Sequence, residues 1–185
     1  PGADCPCSGW SPATVPTTPA ANDPGAVEVG VKFRVDIAGF ITGIRFYKGT
    51  GNTGPHIGNL WSSGGTRLAS AQFVNETASG WQQVNFATPV PVAANTVYVA
   101  SYFAPNGRYA ADNNFFAGTG VNQSVVHLLQ DGVSGGNGVY AYGSASRFPT
   151  QSYLATNYWV DVVFTPNTAT ATAAPRAAEP PAPAP

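Results

Sequence analysis

AVEVGVKFRVDIAGFITGIRFY, residues 26–47, decides the fold class. Val27, Val29, Val31 and Phe33 alternate with Glu28, Gly30, Lys32 and Arg34, the period of two that sends successive side chains to opposite faces of a strand. Glu28 is thereby directed away from the apolar face. A second strand is predicted over residues 40–47, with Phe40, Thr42, Ile44 and Phe46 on one face and Ile41, Arg45 and Tyr47 on the other. Two strands of nearly unbroken alternation, separated by a few turn residues, announce an antiparallel all-β domain.

The same grammar continues outward. GNLWSSGGTRLASAQF (58–73) reads as a hairpin turning at Ser62 to Thr66, with Gly64 and Gly65 supplying positive φ. WQQVNFA (81–87) alternates again, and Pro89 and Pro91 just after it mark an edge or a turn. VYVASYF (97–103) and NYWVDVVF (157–164) carry apolar residues on both faces and are expected to be central strands covered on two sides. Many short strands, close turn signals and no helical periodicity predict an antiparallel β-sandwich, jelly-roll-like, made of two packed sheets.

Prolines set the limits of that domain. Of 17, six fall in residues 1–25, five in 26–165 and six in 166–185, while 18 of the 21 glycines punctuate the middle. The expected division is a Pro/Thr-rich segment 1–25 lying along the domain, a sandwich over 26–165, and a Pro/Ala-rich linker over 166–185. That tail has no bulky apolar side chain with which to offset the entropy of ordering it. Absence of Met and a start at Pro1 predict a processed or excised chain.

Charge excludes some partners. Only 9% of residues are charged, against roughly 25% in an average domain, and the formal net charge is −1. No positive field exists to hold a phosphate backbone, so nucleic acid is not an expected partner. Apolar runs of a few residues fall far short of the about 20 that a spanning helix needs, so no membrane span is expected. Low Lys, abundant Thr, Ser, Asn and Gly, and the tail predict a secreted or cell-surface setting.

Several stretches together resemble one family: residues 26–73, then SGWQQVNFATPV (79–90), NTVYVASYFAPNGRYA (95–110) and NYWVDVVF. The chain resembles the DUF4082 family over roughly residues 5 to 165. The resemblance implies a domain of large secreted or surface-attached bacterial proteins, with neighbouring domains in the parent chain, and implies no reaction. Arg108 stands where that family's pattern has a His after the PNG turn, and VVHLLQDG (125–132) replaces a Gly-Pro-Leu-His-Ala type segment.

Candidate chemistry is sparse. Cys5 and Cys7 can pinch a soft metal or close a disulfide, and an oxidising compartment favours the disulfide. Asp4 beside them opposes the lowered thiolate pKa that redox catalysis needs. His56 and His127 are read as a turn residue and a partly buried one, with a metal-dependent enzyme using both as the alternative. Glu28 and Asp161 can approach and bind a structural calcium; otherwise Asp161 pairs with Lys32 or Arg34. No other cofactor is expected.

Aromatic residues are the informative excess at 12%. Sugar rings stack their C–H faces on exposed aromatic rings, while amide and guanidinium groups bond the hydroxyls. Two loops hold that mixture: residues 105–116, with Arg108, Tyr109 and Asp112, and residues 136–153, with Tyr140 and Tyr142 on one strand face. Cross-strand packing is the ordinary alternative for the Tyr140 and Tyr142 pair. The expected function is a non-catalytic module binding polysaccharide or a cell-surface glycan through these five residues. A spacer without a small ligand is the alternative, and a metal-dependent enzyme the third.

Overall fold

The computed structural model describes residues 5–167. Among the described residues ten strands are formed: β1 Val27–Val35, β2 Gly39–Lys48, β3 Ile57–Ser62, β4 Arg67–Gln72, β5 Gly80–Val92, β6 Tyr98–Ala104, β7 Val126–Leu128, β8 Val139–Tyr142, β9 Gln151–Ser152 and β10 Val160–Pro166. They pair antiparallel into two sheets. One has seven strands in the order β4-β3-β6-β1-β8-β9, with β7 also on β1; the other has three in the order β10-β2-β5. The sandwich core forms between them, because each strand hides one apolar face and has nowhere else to put it.

β1 supplies the centre of that core with Val27, Val29, Val31, Phe33 and Val35, all buried. Beside it, β6 contributes Ala100, Tyr102 and Ala104, and the smaller sheet answers with Ile41, Ile44 and Phe46 of β2 and Val160, Val162 and Phe164 of β10. The Phe46 and Tyr102 rings stack across the gap at 4.0 Å. β6, between β3 and β1, is central and covered on both faces, as its sequence predicts.

Four expectations need correction. In β2 the register slips between Ile41 and Gly43, so Ile41 joins Ile44 and Phe46 in the core, while Phe40 and Thr42 are only half-buried. A bulge adds one residue and reverses the facing of everything before it. It needs Gly43, where a Cβ would collide with the Val84 carbonyl. In the hairpin only Gly65 has positive φ, at 92°. Trp159 adopts φ 56°, a left-handed conformation that breaks the strand, so β10 starts at Val160 rather than at residue 157. Finally, β10 ends the three-stranded sheet instead of lying inside one, and Pro166 still pairs with Gly39, so the strand runs past residue 165. The rest of the expected linker lies outside the described residues.

β10 is nonetheless covered on both faces, because residues 5–25 wrap the outside of its sheet. Cys7 exchanges two backbone hydrogen bonds with Phe164, at 2.9 and 2.8 Å. The next contact is ionic. Asp161 accepts the Gly9 and Trp10 N–H groups at 2.8 and 3.0 Å, its neighbour Val162 donates at 2.8 Å, and Arg45 pairs with it at 3.2 Å. Further along, Trp81 Nε1–H donates to the Thr14 carbonyl, Ala111 N–H to Thr18, and Ala21 N–H to Tyr109.

Removing one partner of a buried ion pair leaves a desolvated charge without compensation. Arg45→Met is therefore expected to lower unfolding free energy by about 3–5 kcal/mol, read by urea denaturation. Asp161→Asn in the same background should recover part of the loss. An unchanged midpoint in Arg45→Met would show that the backbone donors alone suffice.

Candidate functional site

Five tyrosines converge at one side of the sandwich. Tyr140 and Tyr142 share a face of β8 with ring centroids 5.7 Å apart; Tyr158, just before β10, lies 6.4 Å from Tyr140, and Tyr109 lies 5.6 Å from Tyr158. With Tyr153, after β9, they line a cavity of about 240 Å³. Tyr142 and Tyr153 keep 49% and 57% of their surface in water, unusual for side chains of this size. A second cleft of about 390 Å³ shares Tyr109, Tyr153 and Tyr158 and adds Thr18, Asn113 and Thr156.

Asp23 holds the rings in place. Its Oδ2 accepts the hydroxyls of Tyr109, at 2.8 Å, and of Tyr142, and its Oδ1 accepts the Gly25 N–H at 2.8 Å. Partial burial works to raise the carboxyl pKa, but the Tyr142, Gly25 and Tyr109 hydrogen bonds and the Arg108 charge outweigh it and hold the group below its ordinary value. The Tyr142 phenol is pushed up, first by its bond to this carboxylate and then by burial. Burial, then the bonds to Tyr142 and Asp23, push Tyr109 up as well. Both phenols are neutral at pH 7. The backbone makes this geometry at residues 107–108, where Gly107 and Arg108 have φ of 60° and 56° and Arg108 N–H donates to the Asp23 carbonyl. A Cβ at Gly107 would strike that same carbonyl.

Of the residues expected at a ligand site, Tyr109, Tyr140 and Tyr142 line this cavity, and Arg108 lies beside it with Nη1 donating to Asn22 Oδ1 at 2.6 Å. Asp112 does not join them. Its carboxylate accepts the Thr17 and Thr18 N–H groups and Trp159 Nε1–H, all at 2.9 Å, and so fastens the N-terminal segment. Tyr153 belongs to the expected loop 136–153 but not to the five expected contacts, and Asp23 and Tyr158 lie outside both expected loops. Asp23 sits in a flanking segment whose Asp-Pro-Gly reads as a turn, and nothing local ties it to a tyrosine 119 positions away.

The four candidate metal ligands are dispersed. Glu28 lies on the outer face of the seven-stranded sheet, bonded by Asn59 and Ser101, whereas Asp161 lies on the outer face of the other sheet. The core separates them. The calcium pairing fails for that reason, and so does pairing of Asp161 with Lys32 or Arg34, which share Glu28's side of β1; Arg45 is the partner.

His56 precedes β3, two strands from β1 near its Val27 end, whereas His127 lies on β7 opposite Arg34, so roughly 20 Å separates them along the strand direction alone, at about 3.3 Å per residue between Glu28 and Arg34. His56 is fully buried in a polar chain: Nδ1 is 2.7 Å from Glu76, Nε2 is 2.8 Å from the Asn52 amide, and that amide is 3.0 Å from the Tyr102 hydroxyl. Burial pushes the imidazole pKa down, against the pull of Glu76. Asn52 Nδ2–H donates to the Tyr102 hydroxyl and Asn52 Oδ1 accepts from His56 Nε2–H, while Nδ1 faces the Glu76 carboxylate. His127 instead bridges Asn122 and Asp36, at 2.6 Å each. Among the described residues no three His, Cys, Asp or Glu side chains gather around a common point. Cys5 and Cys7 are joined by a disulfide.

Comparison with known proteins supplies a family and no activity. The family model described as "Domain of unknown function (DUF4082)" matches residues 13–160, a span that starts after the two cysteines. No curated protein matches the chain.

Glu28 has the least satisfied of these side chains. It is fully buried, its Oε1 accepts Ser101 Oγ–H at 2.6 Å and Asn59 Nδ2–H at 2.9 Å, and its Oε2 has no hydrogen-bond partner. Asn59 Oδ1, on the side chain already bonded to it, is also buried without a partner. Protonation turns Oε2 from an unmet acceptor into a donor. Burial pushes the Glu28 pKa from 4.5 up to about 7, although Ser101, Ser146, Asn59 and the Arg147 N–H favour the ionised form.

A carboxyl whose pKa is raised on folding stabilises the native state below its unfolded value and loses that contribution as pH rises through the folded value. The stability difference between the native chain and Glu28→Gln, whose amide N–H mimics the neutral acid, is thus expected to change by about 3 kcal/mol between pH 4.5 and about 7 and to level off above. Urea midpoints measured in that window check it. Parallel profiles for the two proteins would mean that Glu28 stays ionised in the fold.

Proposed function

The chain belongs to the DUF4082 family, and from that membership, which brings no reaction with it, we propose a non-catalytic accessory module of a secreted bacterial protein that binds polysaccharide at the tyrosine cleft. The observation that carries this reading is a pair of half-exposed rings, Tyr142 and Tyr153, over three further tyrosines in one cavity, with two phenols fixed by Asp23. Exposed rings held at a set angle meet the flat C–H faces of sugars without a further cost for ordering them.

Chemistry at the cleft favours binding over hydrolysis. Glycoside cleavage needs two carboxyl groups across the bond, and the carboxylate at this cleft, Asp23, already accepts both phenols. The Cys5–Cys7 disulfide supports a setting outside the cytoplasm.

Retention on insoluble cellulose, chitin and xylan tests the reading. Tyr142→Ala combined with Tyr153→Ala is expected to weaken retention on the bound polymer about tenfold, the loss of two stacking contacts of roughly 0.5–1.5 kcal/mol each. Tyr142→Phe, which keeps the ring and loses the bond to Asp23, should retain most of the affinity. Both positions are exposed, so the unfolding midpoint should move little. Equal retention by the double alanine variant, or no retention of the native chain on any glycan surface, would overturn the proposal and leave the spacer reading.

A further inference from the structure

Hollows continue beyond the tyrosine cleft. Its neighbour, the cleft with Thr18 and Thr156, adjoins through Asn113 a third hollow of about 550 Å³ walled by Thr14, Val15, Phe115 and Trp159. Trp10 lines that hollow and also a groove of about 750 Å³ on the outer face of the three-stranded sheet. All but the tyrosine cavity itself have a wall from residues 6–21, so the wrapped N-terminal segment is the border that joins them.

Rings accompany the course, with Tyr158, Trp10 and Trp159 buried beneath it and Tyr142, Phe115 and Trp81 nearer its surface. Tyr142, Tyr140, Tyr158 and Tyr109 follow one another at 5.7, 6.4 and 5.6 Å. Past Asn113 a second series begins with Phe115, 5.4 Å from Trp10 and 6.1 Å from Trp159, and passes to Trp81 at 6.3 Å from Trp159. The groove floor is the outer face of β5, where Trp81, Gln83 and Asn85 stand in line. Gln83 Nε2–H donates to Asn85 Oδ1 at 3.0 Å, an exposed pair that water or a hydroxyl can replace.

The charged groups at the course have partners within the protein: Asp23 takes two phenols, Arg108 donates to the Asn22 amide and its charge faces Asp23, Asp112 accepts three N–H groups, and Arg45 pairs with Asp161 while its guanidinium stacks 4.5 Å from the Trp81 ring. Among the described residues that line these hollows the one cation is Arg45, already paired, so an anionic polymer finds no free counter-charge in them. An uncharged chain with alternating apolar faces and hydroxyl edges matches rings, amides and threonine hydroxyls.

We propose that the tyrosine cleft is one end of an extended binding track, running through Asn113 and Trp10 to the Trp81, Gln83 and Asn85 groove, and that its ligand is the internal length of an uncharged polysaccharide strand rather than a chain end. This rests on the glycan reading of the tyrosine cleft. Successive sites on one rigid surface bind a linked ligand more tightly than each site binds one unit, so affinity rises with chain length.

The test is calorimetric titration with neutral cello-, chito- and xylo-oligosaccharides, each as disaccharide, hexasaccharide and soluble polymer. The native chain is expected to bind the polymer about tenfold or more tighter than the disaccharide. Gln83→Ala with Asn85→Ala, both exposed, should bind the disaccharide as the native chain does and lose most of the gain with length. Tyr142→Ala with Tyr153→Ala should lose the disaccharide as well. Affinity independent of length, or polymer binding unchanged by the Gln83 and Asn85 substitutions, would overturn the track and leave the tyrosine site standing. No binding of any series by the native chain would overturn both.

Discussion

A carboxylate in a closed, dry layer must find donors for its charge or be driven to its neutral form. Asp161 meets that demand through the N-terminal segment. Two of its donors, the Gly9 and Trp10 N–H groups, belong to residues about 150 positions earlier in the chain, and its counter-ion Arg45 also donates to the Trp10 carbonyl at 3.2 Å. The segment is therefore bound to β10 and β2 by charge as well as by the Cys7 and Phe164 backbone pair. Once held there, it covers an outer face that would otherwise be exposed, and it places Trp10 against Trp159 with ring centroids 4.7 Å apart.

The outer face of the larger sheet solves a similar problem without a cation. Glu28 is covered by the loop after β8, with Ser146 reaching Asn59 at 2.9 Å and Phe148 packing on Trp61 at 5.5 Å. Its surroundings are hydroxyls and amides, so burial dominates and raises its pKa to about 7. Burial pushes Asp161 up as well, to about 6, against the pull of the Arg45 charge. Each sheet thus has a core face built by apolar alternation and an outer face built around one buried carboxylate.

Both outer faces are tied to the tyrosine cleft. The loop that covers Glu28 starts one residue after Tyr142, and the segment that satisfies Asp161 carries Asp23, which fixes the phenols of Tyr109 and Tyr142. The same wrapping that completes the fold therefore fixes the angle of the rings. Five side chains from four separate parts of the chain make one cavity, and only Tyr140 and Tyr142 are neighbours in sequence.

Local alternation was enough to identify an all-β sandwich, the central place of β6 and the shared face of Tyr140 and Tyr142, because period-two facing is a property of the backbone itself. The β2 bulge was not legible, since a single extra residue follows from the approach of the Val84 carbonyl to Gly43, a contact between strands. Nor were the partners of Glu28 and Asp161, or the gathering of Asp23, Tyr153 and Tyr158 with the other tyrosines. Burial, counter-ion choice and convergence depend on which distant segments come to lie on each face, and that is set by the packing of the whole chain, not by any stretch of it.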